Sequence, residues 1–287
     1  MMLAAMTIID SQVHIWAADS PERPRPPANL TVFQPAAIHD PEPLDRVRLL
    51  REMDAAGVDK AILVPPMWEG HRNDVALEAA LLHPDRFAIM GKLPLHAPDW
   101  SRPQLADWKK QPGMLGLRLA FIDEDRRLLT DGSIDWFWPE AERHGIPVMF
   151  LAPGALHLIA PIAMRHPGLK LIVDHIGVSR MKDADVAAHL GPTLAMARYP
   201  NVAVKVSALP CLSSEPYPFK NMHEITRRVI DAFGPHRSFW GSDLTRLLLK
   251  CSYRQAVTMF TEELDFLSDI DKDWVMGRAL AEWLGWA

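Results

Sequence analysis

Short aliphatic and β-branched runs alternate with longer amphipathic stretches along the whole chain. The runs that fit strands are Ile8 to Ile15, Lys60 to Val64, Phe87 to Leu93, Leu115 to Ala120, Val148 to Leu151, Leu169 to Asp174, Val202 to Val206 and Ser238 to Gly241. Between the first two runs, Glu42 to Ala56 carries apolar residues at steps of three and four, which is typical of a helix. This alternation predicts parallel strands joined by crossover helices.

Two further stretches have a helical pattern. One begins at Asn221, a residue suited to an N-cap, and ends at Phe233 before Gly234 and Pro235. The other, Asp273 to Trp286, is expected to close the bottom or side of the fold. Eight strand–helix pairs in 287 residues predict an α/β fold, a (β/α)8 TIM barrel, as one domain over residues 1–287. The alternative is an open doubly wound sheet, but no G-x-G-x-x-G follows the first strand.

Two loops depart from the compact pattern. Residues 17–41 are rich in proline and polar residues, and residues 209–220 follow the seventh strand. Both follow strands, so in a barrel both lie on the carboxyl-terminal face, where active sites are built. We expect them to be active-site lids; the alternative is that each is a surface excursion without function.

Composition and charge narrow the function classes. The chain is 48% hydrophobic and 23% charged, which suits one large core, and its net charge of -5 disfavours nucleic acid or an anionic membrane as partner. It has two cysteines, Cys211 and Cys251, and no charged-then-apolar leader or long apolar run. We expect a cytoplasmic protein that acts on a small molecule, with no nucleic-acid or membrane partner and with a homo-oligomer possible.

Polar residues at three strand ends are candidates for chemistry. Side chains alternate along a strand, so Asp10, Gln12 and His14 should share one face at the end of the first strand. Asp243 follows the eighth strand, where it either faces the barrel mouth or caps the next helix. His175 follows the sixth strand, and the alternative for it is a hydrogen-bonded structural residue.

Two cations are expected inside the barrel. Arg118 alternates with Leu117 and Leu119, and Lys205 alternates with valines. A buried cation is costly without an anion, so each needs a carboxylate from the protein or the substrate. Arg118 could clamp a substrate carboxylate and Lys205 could stabilise an oxyanion; the alternative for each is an internal ion pair with Asp10 or Asp243.

Weaker signals come from residues of the loops. Those that could line the mouth, or else belong to ordinary loop surface, are Trp68, Glu69, His71, Arg72 and His96. Aromatic residues that could contact substrate are Trp16, Trp68, Phe121, Tyr217 and Phe219, although core packing explains such residues equally well. They favour an apolar or aromatic-derived acid over a bare sugar as substrate.

Taken together, these segments resemble the amidohydrolase-related family of the amidohydrolase superfamily. The segments are Ile9-Asp10-Ser11-Gln12-Val13-His14, Gly116-Leu117-Arg118-Leu119, Val173-Asp174-His175-Ile176-Gly177, Val204-Lys205-Val206-Ser207-Ala208-Leu209 and Gly241-Ser242-Asp243. The resemblance covers nearly the full chain and implies a (β/α)8 barrel. It also implies that His14, His175 and Asp243 correspond to the site residues of strands one, six and eight.

The chain departs from the family pattern at two metal-ligand positions. Gln12 stands where metal-binding relatives carry the first histidine, and the fifth strand, Val148 to Leu151, offers no lysine, glutamate or histidine. Carboxamide is a weak ligand for zinc-type ions. Some lactonases of the family are similar in working without metal, so we expect no bound metal; the alternative is one Zn or Mn at His14, His175 and Asp243.

The resemblance therefore favours a metal-independent lactonase of the lactonase branch. In this reading Asp243 takes a proton from water, and the hydroxide formed attacks the lactone carbonyl. His14, Lys205 and Gln12 stabilise the oxyanion, while Arg118 holds a substrate carboxylate. The alternatives are a decarboxylase of an aromatic or unsaturated carboxylic acid with a single divalent metal, and a non-catalytic barrel that binds a small molecule.

Overall fold

The computed structural model describes residues 6–24 and 42–286, in which eight parallel strands lie in chain order around a barrel. The strands are β1 (Ile9–Val13), β2 (Lys60–Leu63), β3 (Phe87–Gly91), β4 (Met114–Ala120), β5 (Val148–Leu151), β6 (Leu171–Val173), β7 (Val202–Ser207) and β8 (Ser238–Gly241). Each predicted strand is present within a few residues of its expected bounds. The predicted (β/α)8 barrel is confirmed.

Helices follow the strands and form the outer layer. They are α1 (Arg46–Ala56), α2 (Asp74–Leu82), α3 (Pro98–Leu105), α4 (Phe137–Arg143), α5 (Leu156–Arg165), α6 (Ala184–Ala188), α7 (Gly191–Met196), α8 (Leu209–Leu212), α9 (His223–Phe233), α10 (Leu244–Leu247), α11 (Tyr253–Thr258), α12 (Asp269–Asp273) and α13 (Ala279–Leu284). Short 3-10 turns occupy Met67–Glu69, Trp108–Lys110, Asp123–Leu129, Asp174–Gly177, Lys220–Met222 and Pro235–Arg237, and π-helical turns occupy Met259–Glu263 and Trp274–Arg278. Within the described ranges no helix is long and apolar enough to cross a membrane.

Alternation along the strands divides the core into two parts. Apolar side chains of one parity, such as Ile62, Met90 and Phe239, pack together in the barrel interior, and those of the other parity pack beneath the helices. Leu280 and Leu284 of α13 join the interior group, so the C-terminal segment closes the bottom of the barrel, as expected. Polar side chains near the carboxyl ends of the strands are therefore collected at the opposite end.

Two predicted helix boundaries are wrong. The first helix begins at Arg46 rather than Glu42, because the Asp45 side chain accepts a hydrogen bond from the Arg48 N–H and caps it. Asn221 does not cap α9, which begins at His223 after a 3-10 turn. The Asn221 amide instead donates to Asp183 and accepts from Ser213, which are tertiary contacts that no local pattern predicts.

A β-bulge in β1 overturns the expectation that Asp10, Gln12 and His14 share one face. Asp10 pairs with Ala61 while Val13 pairs with Leu63, so β1 carries one extra residue between these pairs. The bulge leaves Gln12 and His14 adjacent and turns Asp10 away toward β8. The Asp10 carboxylate lies at the β1–β8 seam, where it accepts hydrogen bonds from the Ser242 N–H at 2.9 Å and the Tyr253 hydroxyl at 2.7 Å.

Of the two loops expected to act as lids, the structure describes the second and only the beginning of the first. Residues 25–41 of the first loop lie outside the described residues. The second begins with α8, whose Leu209 and Leu212 are buried, and Phe219 near its end is also buried. The second loop is thus anchored into the core at both ends, and its role as a lid stays a prediction.

Candidate active site

The carboxyl ends of five strands bring the main predicted site residues together. His14, Arg118, His175, Lys205 and Asp243 are all buried at this end of the barrel. Residues at the ends of β6, β7 and β8 adopt left-handed backbone conformations, with φ of 50° at His175, 58° at Ala208 and 57° at Asp243. Such conformations are costly for residues other than glycine, and they concentrate at functional sites.

Asp174 is the counter-ion of both interior cations. Its carboxylate lies 2.9 Å from Lys205 Nζ and accepts a hydrogen bond from Arg118 Nε at 3.1 Å. Burial alone would raise the pKa of Asp174, but the charges of Lys205 and Arg118 outweigh it and hold the pKa at about 2. Both cations thus form internal ion pairs, but the partner is Asp174 and not Asp10 or Asp243 as the alternative had it.

Asp174 was not among the candidate site residues predicted from sequence, although it lies in the motif Val173-Asp174-His175-Ile176-Gly177. The signal was present in the alternation: Ile172 packs in the barrel interior, so Asp174, two residues later, faces the same way. The strand register places Ile172 opposite Ala203, which brings Asp174 opposite Lys205. The register is not readable from sequence, and this is why the pair was missed.

Gln12 bridges Lys205 and His14. Its Oε1 accepts a hydrogen bond from Lys205 Nζ at 2.6 Å, and its Nε2 lies 3.3 Å from His14 Nε2. Since a lysine ammonium can only donate, the amide oxygen must face Lys205 and the amide NH2 must face His14. Burial lowers the pKa of Lys205, and the neighbouring Asp174 opposes that effect.

His14 connects this chain of contacts to Asp243. The His14 Nδ1 lies 2.7 Å from the carbonyl oxygen of Val64, which only accepts, so Nδ1 carries a proton. The other ring nitrogen, Nε2, lies 3.3 Å from Asp243 Oδ1. Asp243 stands at the start of α10 but its side chain makes no capping hydrogen bond there, so the helix-cap alternative is not supported.

His175 is held by the strand beside it. Its Nδ1 lies 2.8 Å from Ser207 Oγ. Burial lowers the pKa of His175 to about 4, although the charges of Asp243 and Asp174 act in the opposite direction. The imidazole is therefore neutral at neutral pH.

The donor set does not fit the metal that related barrels bind. At the position of the missing histidine, the Gln12 amide presents N–H donors toward His14 and commits its oxygen to Lys205. In the ranges 6–24 and 42–286, no group of three or more His, Cys, Asp or Glu side chains is arranged to hold a metal ion.

The predicted aromatic contacts separate into two places. Trp16 and Trp68 meet edge to face at 5.3 Å, and the Trp68 ring lies 6.2 Å from the His14 ring, so both flank the strand-end cluster. The Tyr217 hydroxyl donates to Glu263 and lies 3.1 Å from Thr258 Oγ1 in the outer layer. Tyr217 lines a cavity of about 490 Å³ together with Lys250 and Cys251, apart from the cluster, and its role in substrate binding stays a prediction.

A second group of polar residues follows β2 and β3. Glu69 pairs with Arg72, the His71 and His96 rings lie 5.6 Å apart, and Lys92 is buried beside them. Burial, Lys92 and His96 together lower the pKa of His71 to about 4. Lys92 was not among the candidate residues predicted from sequence. It has the same parity as Ala88 and Met90, which both pack inside the barrel, and this alternation could have identified it as an interior residue.

Comparisons with known proteins agree with this architecture. The family model described as amidohydrolase matches residues 9–285. A 4-sulfomuconolactone hydrolase from Hydrogenophaga intermedia is 27% identical over 67% of this chain, and the match spans only 62% of that relative's length. An L-fucono-1,5-lactonase from Burkholderia ambifaria is 24% identical over 82% of this chain and 79% of its own length.

Among solved structures, the fold is similar to that of an Acinetobacter baumannii protein described as a probable 2-pyrone-4,6-dicarboxylic acid hydrolase. The TM-score is 0.77 at 18% identity, and the match covers 98% of this chain and 100% of that one. At this identity the likeness supports the fold alone.

Proposed function

The chain belongs to the amidohydrolase family, and from that premise we propose that it is a hydrolase of lactones that bear a carboxylate, and that it works without a metal ion. The observation that carries the proposal is the buried line of contacts from Lys205 through Gln12 and His14 to Asp243. The names of the two sequence relatives, a sulfomuconolactone hydrolase and a fuconolactonase, support a lactone as substrate.

In the proposed reaction Asp243 acts as the general base. It removes a proton from water, and the resulting hydroxide adds to the lactone carbonyl. The tetrahedral intermediate then breaks the ring C–O bond, and the proton held by Asp243 passes to the departing ring oxygen. Water is consumed and an open-chain acid is formed, so no co-reactant is needed.

Donors near Asp243 stabilise the oxyanion. The Lys205 ammonium and the Gln12 amide are fixed before substrate arrives, so little reorganisation is needed as negative charge develops. His14 positions the Gln12 amide, because its Nε2 accepts from the Gln12 NH2 while its Nδ1 donates to Val64. A lactone ester is more electrophilic than an amide, and this makes hydrolysis feasible with hydrogen-bond donors in place of a Lewis acid.

Arg118 positions the substrate. Only its Nε bonds to Asp174 within the described residues, which leaves the two Nη groups to receive a carboxylate in a bidentate arrangement. Trp16 and Trp68 supply an apolar wall beside His14. These contacts favour a planar or unsaturated lactone over a bare sugar lactone.

The first test is activity on a lactone panel that includes a muconolactone, a sugar 1,5-lactone and a pyrone carboxylate. We expect hydrolysis of at least one carboxylated lactone, and we expect Asp243→Asn to lower kcat by about 10²- to 10⁴-fold, the range for a lost general base. The exposed carboxylate variant Asp231→Asn serves as a control with unchanged activity. A panel without turnover, or full activity in Asp243→Asn, would refute the proposal.

The metal-free part of the proposal has its own measurement. We expect less than one equivalent of zinc or manganese in purified protein by elemental mass spectrometry, and hydrolysis that survives chelation. One tightly bound metal per chain with chelator-sensitive activity would contradict it. That outcome would favour the decarboxylase alternative with a ligand set of His14, His175 and Asp243.

A further inference from the structure

Two cations stand side by side on the interior face of β3 and β4. The register pairs Met90 with Gly116 and Gly91 with Leu117, so Lys92 comes opposite Arg118. Both side chains are buried, with 9% of Lys92 and 5% of Arg118 exposed. Like charges directly opposite each other on neighbouring strands repel, and burial strengthens the repulsion.

Lys92 is fixed in place by neutral groups. Its Nζ donates to the carbonyl oxygens of Pro66 at 2.8 Å and Gly70 at 3.1 Å, on either side of the turn that carries Trp68. Its main chain exchanges two hydrogen bonds with the Asn73 side chain, at 2.8 and 2.9 Å. Backbone carbonyls orient the ammonium but carry no net charge to neutralise it.

The nearby carboxylates are shared among more cations than they can neutralise. Asp174 serves both Lys205 and Arg118, and Glu69 is paired with Arg72. Glu69 is the carboxylate that favours the charged form of Lys92, but it is shared with Arg72, and burial together with Arg118 lowers the pKa of Lys92 well below its usual value. Asp243 is likewise shared, because Arg246 lies 3.9 Å from it.

We propose that Lys92 forms, beside Arg118, a subsite for a second carboxylate, and that the substrate is a dianionic lactone. The inference rests on the proposed lactonase function and goes beyond it by assigning Lys92 and by fixing the number of anionic groups. One carboxylate binds the Nη groups of Arg118. The other binds the Lys92 ammonium and lies between the two cations, where it removes their repulsion.

His71 supports this placement. It is partly buried, and the positive charge of Lys92 contributes to its low pKa, so the imidazole lies near the subsite. A bound carboxylate would offset that charge. Titration of His71 by NMR should therefore move upward from a pKa of about 4 when a non-reactive dicarboxylate such as benzene-1,3-dicarboxylate is bound.

The decisive experiment compares two substrates that differ by one carboxylate, a pyrone with carboxylates at positions 4 and 6 and a pyrone with only the 6-carboxylate. We expect a higher kcat/KM for the dicarboxylate, and we expect Lys92→Met to reduce that preference by about 10- to 100-fold, the value of one charge-assisted contact. Lys92→Arg should retain most of the preference. Lys170→Met, at the exposed opposite end of the barrel, is the matched control and should change nothing.

The outcomes separate the two proposals. If the wild type hydrolyses neither pyrone nor any other lactone, the lactonase function fails. If it hydrolyses both pyrones and Lys92→Met lowers both equally, the function stands and the second subsite is wrong. If Lys92→Met does not fold, competitive inhibition of the wild type decides: benzene-1,3-dicarboxylate must bind at least about 10-fold more tightly than benzoate, and equal binding would overturn the subsite.

Discussion

Asp174 illustrates how one residue sets the charge balance of a buried site. Its carboxylate is fully buried and contacts two cations from different strands, so it neutralises charge that neither cation could carry alone. Removing one member of such a group leaves an uncompensated buried charge, which costs more than the intact group contributes.

Asp174→Asn should therefore destabilise the fold strongly. Lys205 and Arg118 would share only a neutral amide, and we expect the free energy of unfolding to fall by about 3–5 kcal/mol in a denaturant titration. Asp231→Asn, an exposed carboxylate variant, should change it by less than about 0.5 kcal/mol. Equal stability of the two variants would show that the cations find other partners.

His175 should make stability depend on pH in a defined window. Its pKa is lowered from 6.5 to about 4, so the unfolded chain binds a proton between these values that the folded barrel excludes. The contribution to the free energy of unfolding is complete above pH 6.5 and is lost as the pH falls toward 4, by about 3 kcal/mol at most. Asp174 acts in a separate window, from about 4 down to about 2.

His175→Asn tests this window, because the shorter amide can retain a contact to Ser207 but does not titrate. Stability measured by urea unfolding should vary less between pH 6.5 and 4 in the variant than in the wild type. The exposed His189→Asn variant should leave the wild-type slope unchanged. An unchanged slope in His175→Asn would mean that the imidazole is charged in the folded state.

At the scale of elements, the seam between β1 and β8 positions Asp243. The Asp10 carboxylate accepts from the backbone N–H groups of Gln12 and Ser242 and from the hydroxyls of Ser242 and Tyr253. The Asp243 N–H donates to the Gln12 carbonyl at 2.9 Å across the same seam. These bonds hold Asp243 in its left-handed conformation and keep its side chain beside His14.

Tyr253→Phe should weaken this seam. The buried Asp10 carboxylate would lose its 2.7 Å hydrogen bond from the Tyr253 hydroxyl, which should cost about 1–3 kcal/mol of unfolding free energy. If Asp243 is the general base as proposed, kcat for lactone hydrolysis should also fall while KM stays within about twofold, since the loss disturbs Asp243 rather than the proposed carboxylate subsites. Tyr199→Phe, whose hydroxyl contacts Arg198 near the surface, is the control. Identical effects of both variants would contradict a positioning role.

The strands were predictable from sequence because each is a short apolar run, and burial on both faces is what makes a parallel strand apolar. The bulge in β1 was not, since Ile9-Asp10-Ser11-Gln12-Val13 reads as regular alternation and only pairing with β2 reveals the extra residue. For the candidate site, His14, His175 and Asp243 could be proposed from sequence because each follows or ends an apolar strand run. Asp174 and Lys92 were missed because their partners are set by register between strands.

Charge is distributed unevenly over the whole molecule. The chain carries a net charge of -5, yet three basic side chains, Lys92, Arg118 and Lys205, are buried at its barrel mouth. A positive cleft with low-dielectric walls in an otherwise negative protein concentrates its field at the opening. We therefore expect anionic substrates to be attracted to the mouth, and we do not expect nucleic acid to bind the negative outer surface.

This distribution predicts a salt dependence that reports the charge of the substrate. Raising the ionic strength from about 0.01 M to about 0.15 M shortens the Debye length from about 30 Å to about 8 Å, so kcat/KM for a carboxylated lactone should fall at least about twofold. The rate for an uncharged lactone of similar size should stay constant over the same range, which controls for effects of salt on the protein. A dicarboxylated lactone should show the steeper slope, because attraction to the mouth grows with the charge of the ligand. Equal slopes for neutral and charged lactones would mean that the excess positive charge of the mouth is neutralised before substrate arrives, and the electrostatic argument for an anionic substrate would then fail.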